Sequence, residues 1–479
     1  MFGKIKNKWD CIPVTVKVSL AYTICSILQK CISFITLPLF TRLLTTEQYG
    51  QYTIYSSWSG ILTIFLTLNL AYGSFSTAMT KYEDQRDEYI SSIQGICLLL
   101  SGIFLMIYLP WQKVWNRLFE LPTSMMVLMV FETLCATAVT LWSGKKRFEF
   151  KYKSVVLVTL LIAVLGPISA FALVMHVQEK GYARIVGYVV VTLVVGGIIF
   201  IVNCVRGKKL FSDRFWKYAF GFNIPLLAYY LSQVVFNQSD RIMISHLCGT
   251  DKAAMYGVAY NLAMILTFVL NAINNSYVPW FYGKIKEGRQ EENKPIACGI
   301  ALIMALLLLV VIWFAPEIII VLAGTQYEEA IGVVLPVSVS LLLLFYTQLF
   351  ANVEFYYEDK ISLVLASVGS AAINCILNFL LIPRWGFVAA GYTTLVSYLL
   401  FALCNYLAMK KLLKRRRIKE DGFDIKKLLL IFVVFLAGSF VGMFLYDYRI
   451  IRIIVVLIIF ITLLHYKEKL MSYIKILKK

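Results

Sequence analysis

The sequence predicts an all-α integral membrane protein of about fourteen transmembrane helices, and three observations lead there. Hydrophobic residues make up 60% of the 479-residue chain and charged residues only 15%, while the mean hydropathy is +0.75, outside the range of ordinary globular domains. Apolar runs near about 20 residues recur from end to end, each long enough to cross about 30 Å of hydrocarbon at about 1.5 Å per residue. The runs are continuous, whereas barrel strands alternate over about ten residues, so a β-barrel is excluded.

The predicted spans start at Pro13, Tyr49, Ser91, Leu121, Ser154, Gly181, Ala219, Ala253, Ile296, Ile331, Ile361, Phe387, Lys427 and Ile450. The first follows the basic start "MFGKIKNKWD", as a signal peptide would. Its apolar run continues from Pro13 to Phe40 without a small-residue cleavage pattern, so a retained helix is expected. The second carries Tyr52, Tyr55, Ser56, Ser59 and Thr63 on one face. Glu132 lies midway along the fourth. In the seventh, Tyr230, Gln233, Asn237, Arg241 and Ser245 fall at helical spacing with Asp240 beside them, so one stripe is hydrophilic. The eighth holds Asn271, Asn274 and Asn275; the tenth holds Gln348, Asn352 and Glu354. "GSFVG", Gly438 to Gly442, gives the thirteenth a small-xxx-small packing seam. The longest outer connection, "APEIIIVLAGTQYEEA", reads as an interfacial amphipathic piece.

A net charge of +19 raises the question of nucleic acid, and the distribution of the charge answers it. With a cytoplasmic N-terminus, 34 of the 46 Lys and Arg fall on the inner side and about 9 on the outer, with Lys17, Lys30 and Arg241 inside spans. That asymmetry is the positive-inside rule, carried by "GKKRFEFKYK", "RGKKLFSDRFWK" and "KKLLKRRRIKEDGFDIKK", and it places both termini in the cytoplasm. Such loops sit against anionic headgroups, so anionic lipids are expected partners and nucleic acid is not. The ten cysteines include no C-x-x-C pair, and no disulfide is expected. His176, His246 and His465 are isolated, so neither a metal site nor a cofactor is expected. The chain contains no G-x-x-x-x-G-K-[ST] loop, and its outer connections, such as "TRLLTTEQ", "LCGTDKA" and "PRWG", are too short for a catalytic domain. A transporter is therefore expected rather than an enzyme.

Two landmark pairs indicate a repeat. Tyr49-Gly50 recurs as Tyr256-Gly257, 207 residues later, and Gly181 in "EKGYARIVGYVV" aligns with Gly386 in "PRWGFVAAGYTT", 205 residues later. A unit of about 206 residues holds six spans, and an even number keeps orientation, so the halves are expected to be parallel repeats. The predicted division is a six-helix lobe over 1–207, a second over 208–415, and two appended helices with a basic tail over 416–479.

Charges at depth need a reason. Lys17 lies near the inner edge and can snorkel. Lys30 lies some ten residues from the predicted outer end, about 15 Å, and a cation there costs at least about 2.5 kcal/mol, so a water-filled cavity or an ion pair is expected. Asp240 and Arg241, adjacent on one helix, do not face each other. The alternatives left by the residues are a polar cavity and a helix-locking pair; for Glu132 they are a protonated interhelical donor and a cation pathway.

The segments "FGFNIPLLAYYLSQVVFNQSDRIMISHLCGTDKAAMYGVAYNLAMILTFVLNAINNSYVPWFY" and "INCILNFLLIPRWGFVAAGYTTLVSYLL", with the weaker "ISFITLPLFTRLLTTEQYGQYTIY", resemble bacterial polysaccharide (oligosaccharidyl-lipid) flippases of the multidrug, oligosaccharidyl-lipid and polysaccharide exporter superfamily. "GFVAAG" departs from that family's usual Gly-Ala-Ala after the Pro-x-x-Gly turn. The resemblance implies a fourteen-helix transporter with two six-helix lobes around a central cavity. It would move a polyprenyl-pyrophosphate-linked oligosaccharide to the outer leaflet of a bacterial cytoplasmic membrane, for capsule, O-antigen or exopolysaccharide synthesis alongside other assembly proteins. On that basis Lys30 and Arg241 are expected to meet the pyrophosphate, with Asp240 orienting the neighbourhood of Arg241. Tyr52, Tyr55, Tyr230, Gln233, Asn237, Asn271, Asn275 and Asn352 are expected to meet the sugar, and Asp240 and Glu132 are the candidates for coupling to H+ or Na+. The rivals are a peptidoglycan lipid flippase, a cation-coupled multidrug antiporter of the same superfamily and, more remotely, a membrane polysaccharide polymerase.

Overall fold

A computed structural model describes residues 14–418 and 420–455, and the described residues are helical throughout, without strands. In chain order the helices are α1 Val14–Leu43, α2 Thr46–Thr67, α3 Gly73–Lys81, α4 Arg86–Tyr108, α5 Gln112–Phe119, α6 Thr123–Phe148, α7 Tyr152–His176, α8 Lys180–Gly207 and α9 Asp213–Cys248. They continue with α10 Thr250–Met264, α11 Thr267–Lys286, α12 Asn293–Trp313, α13 Ala315–Ala323, α14 Ile331–Tyr356, α15 Lys360–Trp385, α16 Val388–Arg415 and α17 Ile425–Phe444.

Twelve helical stretches among the described residues are long and apolar enough to span a membrane. The predicted span from Tyr49 is not one of them, although α2 is 22 residues long; its tyrosines, serines and threonines dilute the apolar run. The predicted span from Ile450 lies mostly outside the described residues, as do His465 and both basic termini. Helical structure resumes at Arg449 before that limit.

Local chemistry sets several boundaries. Thr45 and Gln48 form a capping box at the start of α2, each side chain bonded to the other's backbone at 3.2 Å, satisfying donors that the helix leaves unpaired. Asp424 caps α17 by accepting from the Lys427 amide at 3.1 Å. The predicted "GSFVG" seam is present: Trp313 of α12 donates from Nε1 to the Gly438 carbonyl at 2.9 Å, and a Cβ on Gly442 would come within 2.4 Å of the Trp313 ring.

The chain divides between Gln238 and Ser239 into two compact units. In the first, α8 is the hub, packed on α7, α6, α4 and α2; in the second, α14 packs on α16, α10 and α12. The sequence places the first boundary at 207/208, in the loop before α9, whereas the units part within α9. The physical reason lies in its earlier half, where Trp216 donates to the Ser92 carbonyl at 3.0 Å and the Asn223 side-chain oxygen accepts from the Ser74 amide at 3.1 Å. Those contacts tie residues before Gln238 to α3 and α4.

The predicted interfacial piece contains α13, and its Glu317 is clamped by Arg452. The Arg452 guanidinium, 2% exposed, donates to both Glu317 oxygens at 2.8 and 2.6 Å, to the Tyr446 carbonyl at 2.9 Å and to the Trp313 carbonyl. Burial pushes the Glu317 carboxyl up, but the Arg452 hydrogen bonds and the Arg452 and Arg449 charges outweigh it and hold it below its ordinary value. A depressed carboxyl stabilises fully above its unfolded range and loses that contribution as pH falls through the lowered value. Arg452→Ala is therefore expected to cost about 3 kcal/mol by stranding a carboxylate, measured as a lower melting temperature at pH 7. The difference from wild type should shrink as the pH is lowered.

Candidate functional site

Each unit contains its own cluster of chemistry. In the first, α2 presents Tyr52 and Tyr55 toward α6 and α8. Tyr55, 4% exposed, donates from its hydroxyl to Glu132 Oε2 at 2.7 Å. Glu132 borders two small polar cavities. One, of about 120 Å³, is lined by Tyr52, Tyr55, Ser56, Ser59 and Tyr188 among others; the other, of about 150 Å³, by Ser59, Thr63, Thr67, Asn69 and Thr137 among others. At roughly 30 Å³ per water, each holds a few waters and not an oligosaccharide. Glu132→Gln is expected to keep the fold, since an amide oxygen still accepts from Tyr55, and to leave the melting temperature close to that of wild type.

Arg184 lies near the start of α8. It is 4% exposed, with Cζ 3.7 Å from the Tyr52 ring centroid, 4.3 Å from Tyr49 and 4.6 Å from Phe40. The signal was present in the sequence: Gly181, Arg184 and Tyr188 share a face at i, i+3 and i+7. That face is packed so closely that a Cβ on Gly181 would meet the Gln51 side chain at 2.0 Å.

In the second unit the polar stripe of α9 divides between two sets of partners. Asp240, 1% exposed, accepts from Asn378 at 2.6 Å on Oδ1, and from Thr394 at 2.6 Å and Tyr256 at 2.5 Å on Oδ2. Asn378 is held in turn by Thr393 and by Asn374 at 3.3 Å, and Ser239 donates to Asn374 at 3.4 Å. Arg241 is 8% exposed; its Nη2 donates to Asn261 Oδ1 at 3.2 Å, and its Cζ lies 4.7 Å from the Tyr260 ring centroid. One carboxylate among neutral amide and hydroxyl oxygens is a donor set for a proton or a monovalent hard cation. No group of three or more His, Cys, Asp or Glu able to hold a metal occurs among the described residues.

The remaining expected site residues are dispersed. Lys30 is exposed on α1, as are Asn271 and Asn275 on α11. Asn237 donates to the Gln233 carbonyl one turn earlier at 2.7 Å. Tyr230 packs edge-on to Tyr229, with centroids 5.9 Å apart. On α14, the buried Asn352 side-chain nitrogen and both oxygens of the fully buried Glu354 have no hydrogen-bond partner. The loop "GKKRFEFKYK" does not simply face headgroups: Lys145 pairs with Asp87 at 2.5 Å and Glu149 at 3.3 Å, and Lys146 with Glu149 at 2.9 Å. Burial raises the Glu149 carboxyl, but Lys146, Lys151 and Lys145 outweigh it and hold it at about 2.

Residues 16–283 match the family described as polysaccharide biosynthesis protein. Protein 1 of the Lsg locus of Haemophilus influenzae is 22% identical over 321 residues, covering 65% of this chain and 77% of that protein. An uncharacterised membrane protein of Methanocaldococcus jannaschii is 23% identical over 249 residues, covering 50% and 48%. Among solved structures, the fold is similar to the lipid II flippase MurJ in an inward closed conformation, with 14% identity and a TM-score of 0.65 over 92% of this chain and 99% of that one. It is also similar to an inward-facing multidrug resistance MATE family transporter of the MOP superfamily, with 14% identity and a TM-score of 0.62 over 82% and 96%. With spanning helices throughout, this fold, and more than half its length matched, the chain is a multi-pass membrane protein that belongs to the polysaccharide biosynthesis protein family.

Proposed function

We propose that the protein carries a polyprenyl-pyrophosphate-linked oligosaccharide from the inner to the outer leaflet of a bacterial cytoplasmic membrane, by alternating access, for surface polysaccharide synthesis. The observation that carries this reading is Arg241: a buried guanidinium on a spanning helix, positioned by Asn261 and Tyr260. A cation kept at depth against its desolvation cost fits an anionic cargo, and a guanidinium fork fits phosphoryl oxygens. Lys30 is its proposed companion for the pyrophosphate.

Tyr52, Tyr55 and Tyr230, with Gln233, Asn237, Asn271, Asn275 and Asn352, supply rings and amides for sugar hydroxyls. Asp240 and Glu132 take the coupling proton or sodium ion. The two lobes are the moving bodies, residues 416–479 are appended to the second, and both termini are cytoplasmic. Deleting the gene tests the reading. Lipid-linked repeat units should accumulate on the inner leaflet and surface polysaccharide should disappear; unchanged polysaccharide would reject it.

A second reading, flipping of a peptidoglycan lipid precursor, draws on the likeness to the lipid II flippase. It predicts rescue of a strain depleted of its own lipid II flippase, whereas the first predicts rescue only of a polysaccharide-export mutant.

A further inference from the structure

Among the described residues of the first unit, Arg184 is the most thoroughly buried charge that has no acidic partner there and that the proposed function leaves unused. Three aromatic faces surround its guanidinium, Tyr52, Tyr49 and Phe40, at 3.7, 4.3 and 4.6 Å. Cation–π contact uses the faces of the planar group. Its N–H groups are another matter: Nε and Nη1 are buried and have no hydrogen-bond partner among the described residues. A charged donor buried without an acceptor costs more than a neutral one, and native proteins leave few such groups without a purpose. The carboxyl that lines the neighbouring cavity, Glu132, is already engaged by Tyr55. Tyr52 belongs both to the cage and to the lining of the 120 Å³ cavity, so the cage adjoins polar space.

Topology fixes which end of the unit this is. α6 ends and α7 begins beside the Lys145, Lys146 and Glu149 cluster, and α7 then crosses to the end where α8 starts. Arg184 therefore lies at the end opposite that basic cluster, which the positive-inside rule makes the outer end.

We propose that Arg184 is an anion-receiving residue whose unpaired Nε–H and Nη1–H groups take phosphoryl oxygens of the cargo's pyrophosphate at the release side of the first unit. The aromatic cage holds the guanidinium oriented, so the pairing needs little ordering on arrival. This rests on the proposed function, and its test is separable from that of the function.

The experiment titrates inorganic pyrophosphate onto the full chain in phosphatidylcholine nanodiscs, for wild type, Arg184→Gln and Arg184→Lys, with melting temperatures measured alongside. Saturable binding by wild type, weakened about tenfold or more in folded Arg184→Gln and less in Arg184→Lys, supports the assignment. Equal affinity in wild type and Arg184→Gln, or no binding by wild type, overturns it. Should Arg184→Gln fail to fold, wild-type protein is treated with phenylglyoxal and the modified arginines mapped by mass spectrometry. Protection of Arg184 by pyrophosphate supports the assignment, and its absence overturns it. Equal protection by phosphatidylglycerol nanodiscs alone would make the site one for bulk lipid headgroups and overturn the pyrophosphate assignment. None of these results alters the gene-deletion phenotype, so failure of the Arg184 assignment is distinguishable from failure of the transport reading.

Discussion

Asp240→Asn is expected to abolish export while leaving the melting temperature close to that of wild type, whereas Asp240→Ala is expected to lose both. The carboxylate accepts three hydrogen bonds, from Asn378, Thr394 and Tyr256, in an interior that excludes water. Asparagine keeps one oxygen for the Asn378 amide, and the Thr394 and Tyr256 hydroxyls can rotate to accept from its new N–H groups. The fold survives and the negative charge is gone. Alanine leaves three donors stranded at about 1–3 kcal/mol each, a loss of at least about 3 kcal/mol in a structure whose total stability is small. Differential scanning fluorimetry of the two variants, with export measured in cells, separates the roles. Normal export by Asp240→Asn would reduce Asp240 to a lock between α9, α10, α15 and α16.

Arg241→Gln should be nearly as severe for export. Hydrogen bonds between charged groups contribute about 1.5–3 kcal/mol each, so losing the fork should weaken pyrophosphate recognition roughly tenfold to a hundredfold. Arg241→Lys restores the charge without the bidentate geometry and should fall between. Binding of a soluble pyrophosphate-sugar analogue by the purified variants checks the order. Equal affinity in all three would remove Arg241 from the site.

Much of the fold was legible because lipid permits few backbones. Continuous apolar runs must be helices, and their starts were readable even for α2, whose polar face lowers its hydropathy. The division of the chain was harder to read. α9 is one unbroken 36-residue helix, and only tertiary contacts, Trp216 and Asn223 toward α3 and α4, show that its earlier half belongs to the first unit.

The site was legible residue by residue but not pair by pair. Asp240, Tyr55 and Glu132 were candidates from their chemistry. Periodicity within one helix cannot reveal that Tyr55 meets Glu132 across 77 positions, or that Asp240 meets Thr394 across 154. Tyr256 was noticed only as half of a repeated Tyr-Gly landmark. Its hydroxyl proves to bond Asp240, while its counterpart Tyr49 lies against the Arg184 guanidinium. The two landmark tyrosines thus serve a carboxylate in one unit and a cation in the other. Arg184 was missed because a cation at a span end is ordinarily an interfacial anchor, and only the glycine and tyrosine on its face hint that it points inward.

Reconstitution isolates the transfer of a pyrophosphate-linked sugar across a bilayer from every other step of polysaccharide synthesis. The purified protein is placed in liposomes carrying a fluorescent undecaprenyl-pyrophosphate oligosaccharide, and the fraction accessible to an added, membrane-impermeant quencher is followed over time under an imposed proton or sodium gradient. Lipid-linked flipping predicts protein-dependent movement between leaflets that is lost in Arg241→Gln. Movement no faster than in protein-free liposomes, or movement unaffected by that substitution, would contradict it.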